Sequence, residues 1–172
     1  MKVAWVAAAC VLAGCSPRTG TAPAEAPGTL ESRRAIWAAI QPLALKQGIE
    51  PGFVYAIVKI ESNFDPRARR GEARGLMQIK PRAWKAVSDI PYEPGVWDWR
   101  ANLAVGIESL AVIKRSLADK RVFSYPLLWA SHHYGAEFVQ AHGFDMSRIP
   151  RPSDPVAYRL FSGEVHPVSP PR

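Results

Sequence analysis

The sequence predicts a single, mainly α-helical domain. Its 172 residues are enough for one hydrophobic core of ordinary size, and 48% of them are apolar. Along several segments the apolar residues recur at intervals of three and four, which is the spacing of one face of an α-helix. No pair of neighbouring segments shows the alternation and the connecting turn that would predict a β-hairpin. These observations favour a helical globular protein and exclude a disordered or fibrous chain.

The first two predicted helices have clear limits. Apolar spacing over residues 32–46 predicts a helix that Pro42 is expected to kink or end. A second helix opens at Glu50-Pro51-Gly52, because proline suits the first turn. It must stop before Asp65-Pro66, because the residue that precedes a proline avoids helical backbone. Glu61 is therefore expected in the last turn of the second helix.

The rest of the chain is predicted to hold four more helices and an irregular tail. The helices cover residues 81–87, 100–118, 125–133 and 136–141, with a loop over 89–99. The tail over residues 150–172 contains six prolines. We expect it to form no regular element and either to wrap the surface or to stay mobile.

The N-terminus has the pattern of a secretory signal. Lys2 precedes an apolar run over residues 3–12, which is shorter than the roughly 20 residues that a membrane span requires. The run ends in Leu12-Ala13-Gly14-Cys15, which resembles the lipobox of bacterial lipoproteins. This resemblance implies that residues 1–14 are removed as a signal peptide and that Cys15 carries a lipid. An ordinary signal peptide with a chance cysteine is the alternative.

A lipid anchor on Cys15 would determine where the protein is located and would leave it without a free thiol. Ser16 resembles the outer-membrane address of Gram-negative lipoproteins, so we expect a periplasmic protein anchored through Cys15 to the outer membrane. Residues 15–30, rich in Pro, Ala and Thr, are expected to form a flexible tether. Cys10 leaves with the signal, so no free thiol remains for a disulfide, a nucleophile or a metal.

The charge balance suggests an anionic partner. Lys and Arg total 22 against 15 Asp and Glu, a formal charge of +7, which favours anionic polymers or surfaces such as nucleic acid or bacterial cell wall. We expect no nucleic-acid partner, because a secreted lipoprotein rarely meets DNA and the sequence holds no recognised nucleic-acid motif.

Three motifs, in a fixed order along the chain, contain the candidate functional residues. They are Glu61-Ser62-Asn63-Phe64-Asp65-Pro66, then Gly75-Leu76-Met77-Gln78-Ile79, then Asn102, Gly106 and Leu110 on the long helix. In this order and at this spacing they resemble the lytic transglycosylases of the soluble (SLT) type over roughly residues 33–145. The resemblance implies a lysozyme-like helical domain with a glycan-binding groove, expected over residues 31–149. It also implies peptidoglycan glycan strands as partner, cleaved at the β-1,4 bond between N-acetylmuramic acid (MurNAc) and N-acetylglucosamine (GlcNAc).

Glu61 is the predicted catalytic acid. Glycosidic cleavage needs a proton delivered to the leaving oxygen, and burial against apolar groups raises the pKa of a carboxylic acid so that it can donate. Glu61 follows Ile60 and precedes Phe64 by three residues, so we expect a raised pKa. No second acid stands out. In the resembled family one glutamate protonates the leaving oxygen and then takes the proton of the MurNAc C6 hydroxyl, giving a 1,6-anhydro product. No cofactor is expected.

The resemblance implies further substrate-contacting positions: Ser62, Gly75, Met77 and Gln78. Ser62 would support the N-acetyl group or merely finish its helix. Gly75 would allow the backbone to approach the ligand, and Met77 and Gln78 would line the groove. Asn102 is expected to be structural, as is Gly106, bracing the long helix against the groove.

One segment departs from the family pattern. Ser131-His132-His133-Tyr134-Gly135 stands where the family carries A-Y-N-x-G, whose tyrosine contacts the catalytic glutamate and whose asparagine helps to hold sugar. In one interpretation His132 donates the tyrosine's hydrogen bond and His133 replaces the asparagine. In the other, Tyr134 supplies the hydroxyl. Adjacent histidines on a helix point in different directions, so no metal site is expected.

Two other functions are compatible with the same residues. A hydrolase of goose-lysozyme type shares the fold and the glutamate but adds water to its product. A non-catalytic peptidoglycan-binding lipoprotein would have lost activity with the altered A-Y-N segment. The sequence leaves the oligomeric state open.

Overall fold

The computed structural model describes residues 28–172 and is mainly helical, as the sequence predicts. Its elements, in chain order, are α1 (Leu30–Lys46), α2 (Pro51–Ser62), β1 (Arg69–Arg70), β2 (Ala73–Arg74), α3 (Pro81–Val87), α4 (Tyr92–Gly95), α5 (Trp99–Asp119), α6 (Tyr125–His133), α7 (Ala136–Ala141), a 3-10 turn (Met146–Arg148) and α8 (Pro155–Phe161). The bounds of α3, α6 and α7 are those predicted. The short antiparallel β1–β2 hairpin and the small helix α4, inside the predicted loop, were not expected.

Helix α2 is the centre of the core. Its residues over 53–58 are almost completely inaccessible to solvent. A helix that is apolar on every side has to be covered by other elements, and α1 and α8 both pack against this one. Pro51 opens it, and Asn63 closes it with a left-handed backbone (φ 51°) and an N–H that donates to the Lys59 carbonyl. These local signals make a helix of a segment rich in β-branched residues.

Helix α1 packs against α2 and also against α5, the longest helix. Helix α1 continues through Pro42 to Lys46, so the proline does not end the helix. Helix α5 is capped by Asp98, whose carboxylate accepts from the backbone N–H groups of Arg100 and Ala101. Its apolar stripe faces the core as predicted.

The C-terminal segment corrects the prediction that residues 150–172 hold no regular element. Pro155 occupies the first turn of α8, where a proline costs no hydrogen bond, and Asp154 caps that helix. Leu160 is 1% exposed, and α8 packs against α6 and α2. The segment then returns to α1, where the Arg34 side chain donates to the backbone carbonyl of Arg172 over 2.8 Å. Residues 150–172 therefore wrap the domain and contribute to its core.

The predicted signal peptide (residues 1–14), the lipidation site Cys15 and most of the tether over 15–30 lie outside the described residues. Within residues 28–172, none of the helices has the length and the apolar character needed to cross a membrane.

Candidate active site

The site is centred on Glu61, in the last turn of α2 as predicted. The residue is only 7% exposed, and both oxygens of its carboxyl group have a partner. His133 at the end of α6 places Nδ1 2.8 Å from Oε1. Arg70 of β1 donates from Nη1 to Oε2 over 3.0 Å and from Nη2 to the Glu61 backbone carbonyl over 3.3 Å. The carboxyl is thus held between a histidine on one side and an arginine on the other.

These partners reverse the predicted direction of the Glu61 pKa. Burial raises the pKa, as the sequence suggested. The hydrogen bond from His133 and the positive charge of neighbouring side chains, Arg70 among them, lower it by more, so the net shift is downward. The prediction of a raised pKa is wrong, and Glu61 is a carboxylate at neutral pH.

The side chain of His133 has a fixed orientation. Its ring stacks on the fully buried Trp129, one helical turn earlier, with centroids 5.0 Å apart and planes 13° apart. The Tyr134 ring meets it edge-on at 4.7 Å, and the Tyr134 hydroxyl donates to the Pro150 carbonyl over 2.9 Å. Of the two interpretations of this segment, neither gives the contact that the structure has. His133, rather than His132 or Tyr134, makes the hydrogen bond to Glu61.

His132 precedes His133 at the same helix end. Burial lowers the pKa of His132, and the neighbouring Glu61 carboxylate raises it by less. His132 is therefore neutral at neutral pH.

The Gly75–Ile79 segment is hydrogen-bonded to Asn102 of α5, in the structural role predicted for that residue. Asn102, fully buried, accepts from the Met77 N–H over 2.9 Å and donates to the carbonyls of Arg74 and Val96 over 3.1 and 3.2 Å. At Gly75 (φ 75°) an added Cβ would lie 2.3 Å from the Asn102 amide nitrogen. Gly75 is thus required by packing against Asn102, and the approach of its backbone to a ligand stays a prediction.

Met77 lies beneath the site. Its side chain is fully buried, and a Cβ added at Gly106 would come within 2.3 Å of its sulfur. This corrects the expectation that the Met77 side chain lines the groove. The close approach of α5 at Gly106 is the packing role predicted for that glycine.

Gln78 and Ser62 both bond to nearby backbone. The Gln78 amide nitrogen donates to the carbonyls of Ala68 and Gly75 over 3.0 and 2.8 Å, so it holds the loop that carries Arg70. Its amide oxygen is buried with no hydrogen-bond partner among the described residues. The Ser62 hydroxyl donates to the Val58 carbonyl over 2.9 Å, the helix-finishing alternative, and its oxygen keeps the capacity to accept.

A cavity of about 440 Å³ lies beside Arg70 and His133, the two partners of Glu61, and Glu61 itself is not among its lining residues. One wall carries Ile60 and the two partners of Glu61 with Tyr134, and the other comes from the C-terminal segment; the lining residues are Ile60, Arg70, His133, Tyr134, Arg151, Pro152, Ser153, Asp154 and Ala157. Sequence reasoning missed the C-terminal wall and the pairing of Arg70 with Glu61. The Asp65-Pro66 turn, which reverses the chain after α2, was the available signal for Arg70. In the part of the chain that the structure describes, no group of three or more His, Cys, Asp or Glu side chains could hold a metal ion.

The helical architecture, with the buried Glu61 at the end of its central helix, is lysozyme-like. The transglycosylase SLT domain model matches residues 38–141, more than half of the chain. The chain therefore belongs to the transglycosylase SLT domain family. The C-terminal wall of the cavity lies beyond the matched residues.

Comparison with solved structures supports the fold. The X-ray structure of an inactive Glu-to-Gln mutant of the lytic transglycosylase Slt from Pseudomonas aeruginosa matches with a TM-score of 0.52 at 20% identity, over 76% of this chain. The match covers 20% of that protein's chain, so this protein spans about a fifth of its length. A search of curated proteins gave no significant match.

Proposed function

We propose that this protein is a peptidoglycan lytic transglycosylase that cleaves the MurNAc-β-1,4-GlcNAc bond and leaves 1,6-anhydro-MurNAc ends. The observation that carries the proposal is the position of Glu61, which is 7% exposed and is hydrogen-bonded to Arg70 and His133, two residues that line a cavity large enough for a sugar ring and its substituents. Family membership and the lysozyme-like fold support the same reaction class.

The proposed reaction begins when the substrate enters the cavity and its glycosidic oxygen takes the place of Arg70 at Oε2. Arg70 can leave because its side chain is 59% exposed. Protonated Glu61 gives its proton to that oxygen as the bond to C1 of MurNAc breaks. The resulting carboxylate then removes the proton of the C6 hydroxyl as O6 bonds to C1. The glutamate ends protonated as it began, and no water is consumed.

The position of Asp154 is the observation that favours the hydrolase alternative. It is a second carboxylate on the cavity wall, and inverting glycosidases use a second carboxylate to activate water. Its Oδ1, however, accepts from the backbone N–H groups of Val156 and Ala157, both over 2.9 Å, which is a capping role. Asparagine caps a helix as well as aspartate, so Asp154→Asn removes the charge and keeps the cap.

Digestion of purified sacculi followed by mass spectrometry of the released muropeptides tests the proposal. The wild type and Asp154→Asn are expected to release anhydro-muropeptides, and Glu61→Gln to release none. Hydrated products that disappear in Asp154→Asn would establish the hydrolase instead. Sacculus binding by the wild type, with no product released, would establish the non-catalytic alternative.

We further propose that the protein acts in the periplasm, anchored to the outer membrane through a lipid on Cys15. The proposed organisation is a signal peptide over 1–14, a tether over 15–30, a catalytic domain over 31–149 and a C-terminal segment over 150–172 that packs on it. The lipobox-like sequence supports the anchor. Metabolic labelling with a fatty acid, present in the wild type and absent in Cys15→Ala, tests it.

A further inference from the structure

The proposed reaction requires a proton at Glu61, and the contacts of Glu61 favour its loss. Arg70 faces Oε2 at 3.0 Å, and its positive charge stabilises the carboxylate. The proton that the carboxyl gives up must stay within reach if the site is to act near neutral pH. The nearest group able to hold it is His133, whose Nδ1 lies 2.8 Å from Oε1.

The surroundings of His133 fit a proton-holding role. Stacking on Trp129 and the edge-on contact with Tyr134 keep Nδ1 directed at the carboxyl. The side chain is 25% exposed on the cavity side, so the ring carries a charge at lower desolvation cost than a fully buried one. At 2.8 Å a proton can pass between nitrogen and oxygen without movement of either residue.

We propose that Glu61 and His133 act as a unit that shares one proton, held on Nδ1 in the resting site and passed to the carboxyl for delivery to the glycosidic oxygen. The proposal rests on the proposed function. It makes His133 a positioning residue, because it acts through Glu61. The asparagine found at this place in the resembled family has no proton to store.

Protons are neither gained nor lost over one turnover. The proton moves from Nδ1 to Oε1 of the Glu61 carboxyl. The carboxyl then turns about its bond to Cγ, so that the protonated oxygen faces the glycosidic oxygen, and the proton passes to that oxygen as its bond to C1 of MurNAc breaks. O6 bonds to C1 as the carboxylate takes the C6 hydroxyl proton, and that proton returns to Nδ1. No oxidant, water or other reactant enters.

The charged groups around the pair decide where the proton resides. Arg70 from β1 and Arg151 from the C-terminal wall are positive, and Asp154 on the same wall is negative. His132 from the same helix is neutral at neutral pH because burial lowers its pKa. Before substrate arrives, Arg70 keeps the proton on His133. Displacement of Arg70 by the glycosidic oxygen removes that bias and favours the protonated carboxyl.

The pH dependence of kcat/KM on solubilised glycan strands tests the proposal in His133→Gln and His133→Asn. An imidazole holds a proton to higher pH than a carboxyl group, about 6.5 against 4.3 for the free side chains. We expect both variants to lose tenfold or more at pH 7.5 and less than threefold at pH 5, since a carboxyl alone still carries a proton at the lower pH. His142→Gln is the matched control, because His142 bonds to the Phe138 carbonyl, away from the site, and its pH profile should follow the wild type. Equal losses at both pH values, or no loss, would overturn the shared proton.

A second measurement needs neither turnover nor a folded His133 variant. The imidazole NMR signals of His133 are titrated in the wild type and in Glu61→Gln. We expect the titration midpoint of His133 to fall in Glu61→Gln, because the negative partner is gone, and an unchanged midpoint overturns the proposal. Absence of anhydro product from the wild type would defeat the proposed function, whatever the titration shows.

Discussion

Replacing Arg70 by glutamine should lower the thermal stability of the protein, by an amount that depends on pH. Arg70 is 59% exposed while its partner Glu61 is nearly buried, so water and the glutamine amide take over part of the interaction. Exposed ion pairs contribute about 1 kcal/mol or less, and Arg70 falls near the top of that range because its fork holds both the carboxylate and the backbone carbonyl. For a domain of this size, about 1 kcal/mol lowers the melting temperature by roughly 2–4 °C.

The sign of the pH dependence follows from the lowered pKa of Glu61. A depressed folded-state pKa adds stability that is fully present above the ordinary value of 4.5 and is lost as the pH falls through the folded-state value. The melting temperatures of wild type and Arg70→Gln should therefore differ at pH 7 and converge in acid. Differential scanning calorimetry from pH 7 into the acid range measures this.

Arg69→Gln is the matched control. Arg69 is the neighbouring arginine of β1, and its guanidinium lies over the Trp97 ring at 4.5 Å instead of contacting Glu61. We expect its effect on the melting temperature to be the same at every pH. A constant difference for Arg70→Gln across the pH range, or an equal convergence for Arg69→Gln, would refute the ion pair as the cause.

Two further predictions concern the framework of the site. Asn102→Ala should lower the free energy of unfolding by about 3 kcal/mol, since it leaves the Met77 N–H and the Val96 carbonyl buried without partners, while the Arg74 carbonyl keeps the Ile79 N–H. Urea denaturation measures this loss, and a loss under 1 kcal/mol would contradict the structural role of Asn102. Leu160→Ala in α8 should lower the free energy of unfolding by about 2–4 kcal/mol, because Leu160 is fully buried. Tyr158→Ala, on the exposed side of α8, should lower it by less than 1 kcal/mol. Equal losses for the two variants would contradict the packing of α8 on the core.

The helices and the central glutamate could be predicted because their signals are local. Pro51 at the start of α2 and Asp65-Pro66 after it fix that helix without knowledge of its neighbours, and so place Glu61 in the last turn. The spacing of the three motifs was sufficient to predict the bracing role of Asn102, since both the loop and the long helix are visible in the sequence.

The partners of Glu61 could not be predicted, because they come from other elements. His133 is 72 residues away in the chain, and its contact depends on how α6 packs and on the stacking with Trp129. Arg70 returns to the carboxyl only through the turn after α2. The pKa of Glu61 depends on both residues, and for this reason reasoning from burial alone gave the wrong direction.

The helix in the C-terminal segment was not predicted from the sequence, for a different reason. Its prolines were interpreted as helix breakers, yet Pro155 lies at the one helical position where the missing N–H costs nothing. Asp154 directly before it was the capping signal. The apolar Ala157 and Leu160, three residues apart, were the sign of a buried face.

Digestion of sacculi in heavy-oxygen water tests most directly whether Glu61 gives its proton to the glycosidic oxygen and then takes the proton of the C6 hydroxyl in place of that of a water molecule. We predict that the new MurNAc ends carry no heavy oxygen, because O6 of the same sugar closes the ring, and that Glu61→Gln releases no such ends. Heavy oxygen at C1 of the released MurNAc, or product formation that persists in Glu61→Gln, would contradict this mechanism.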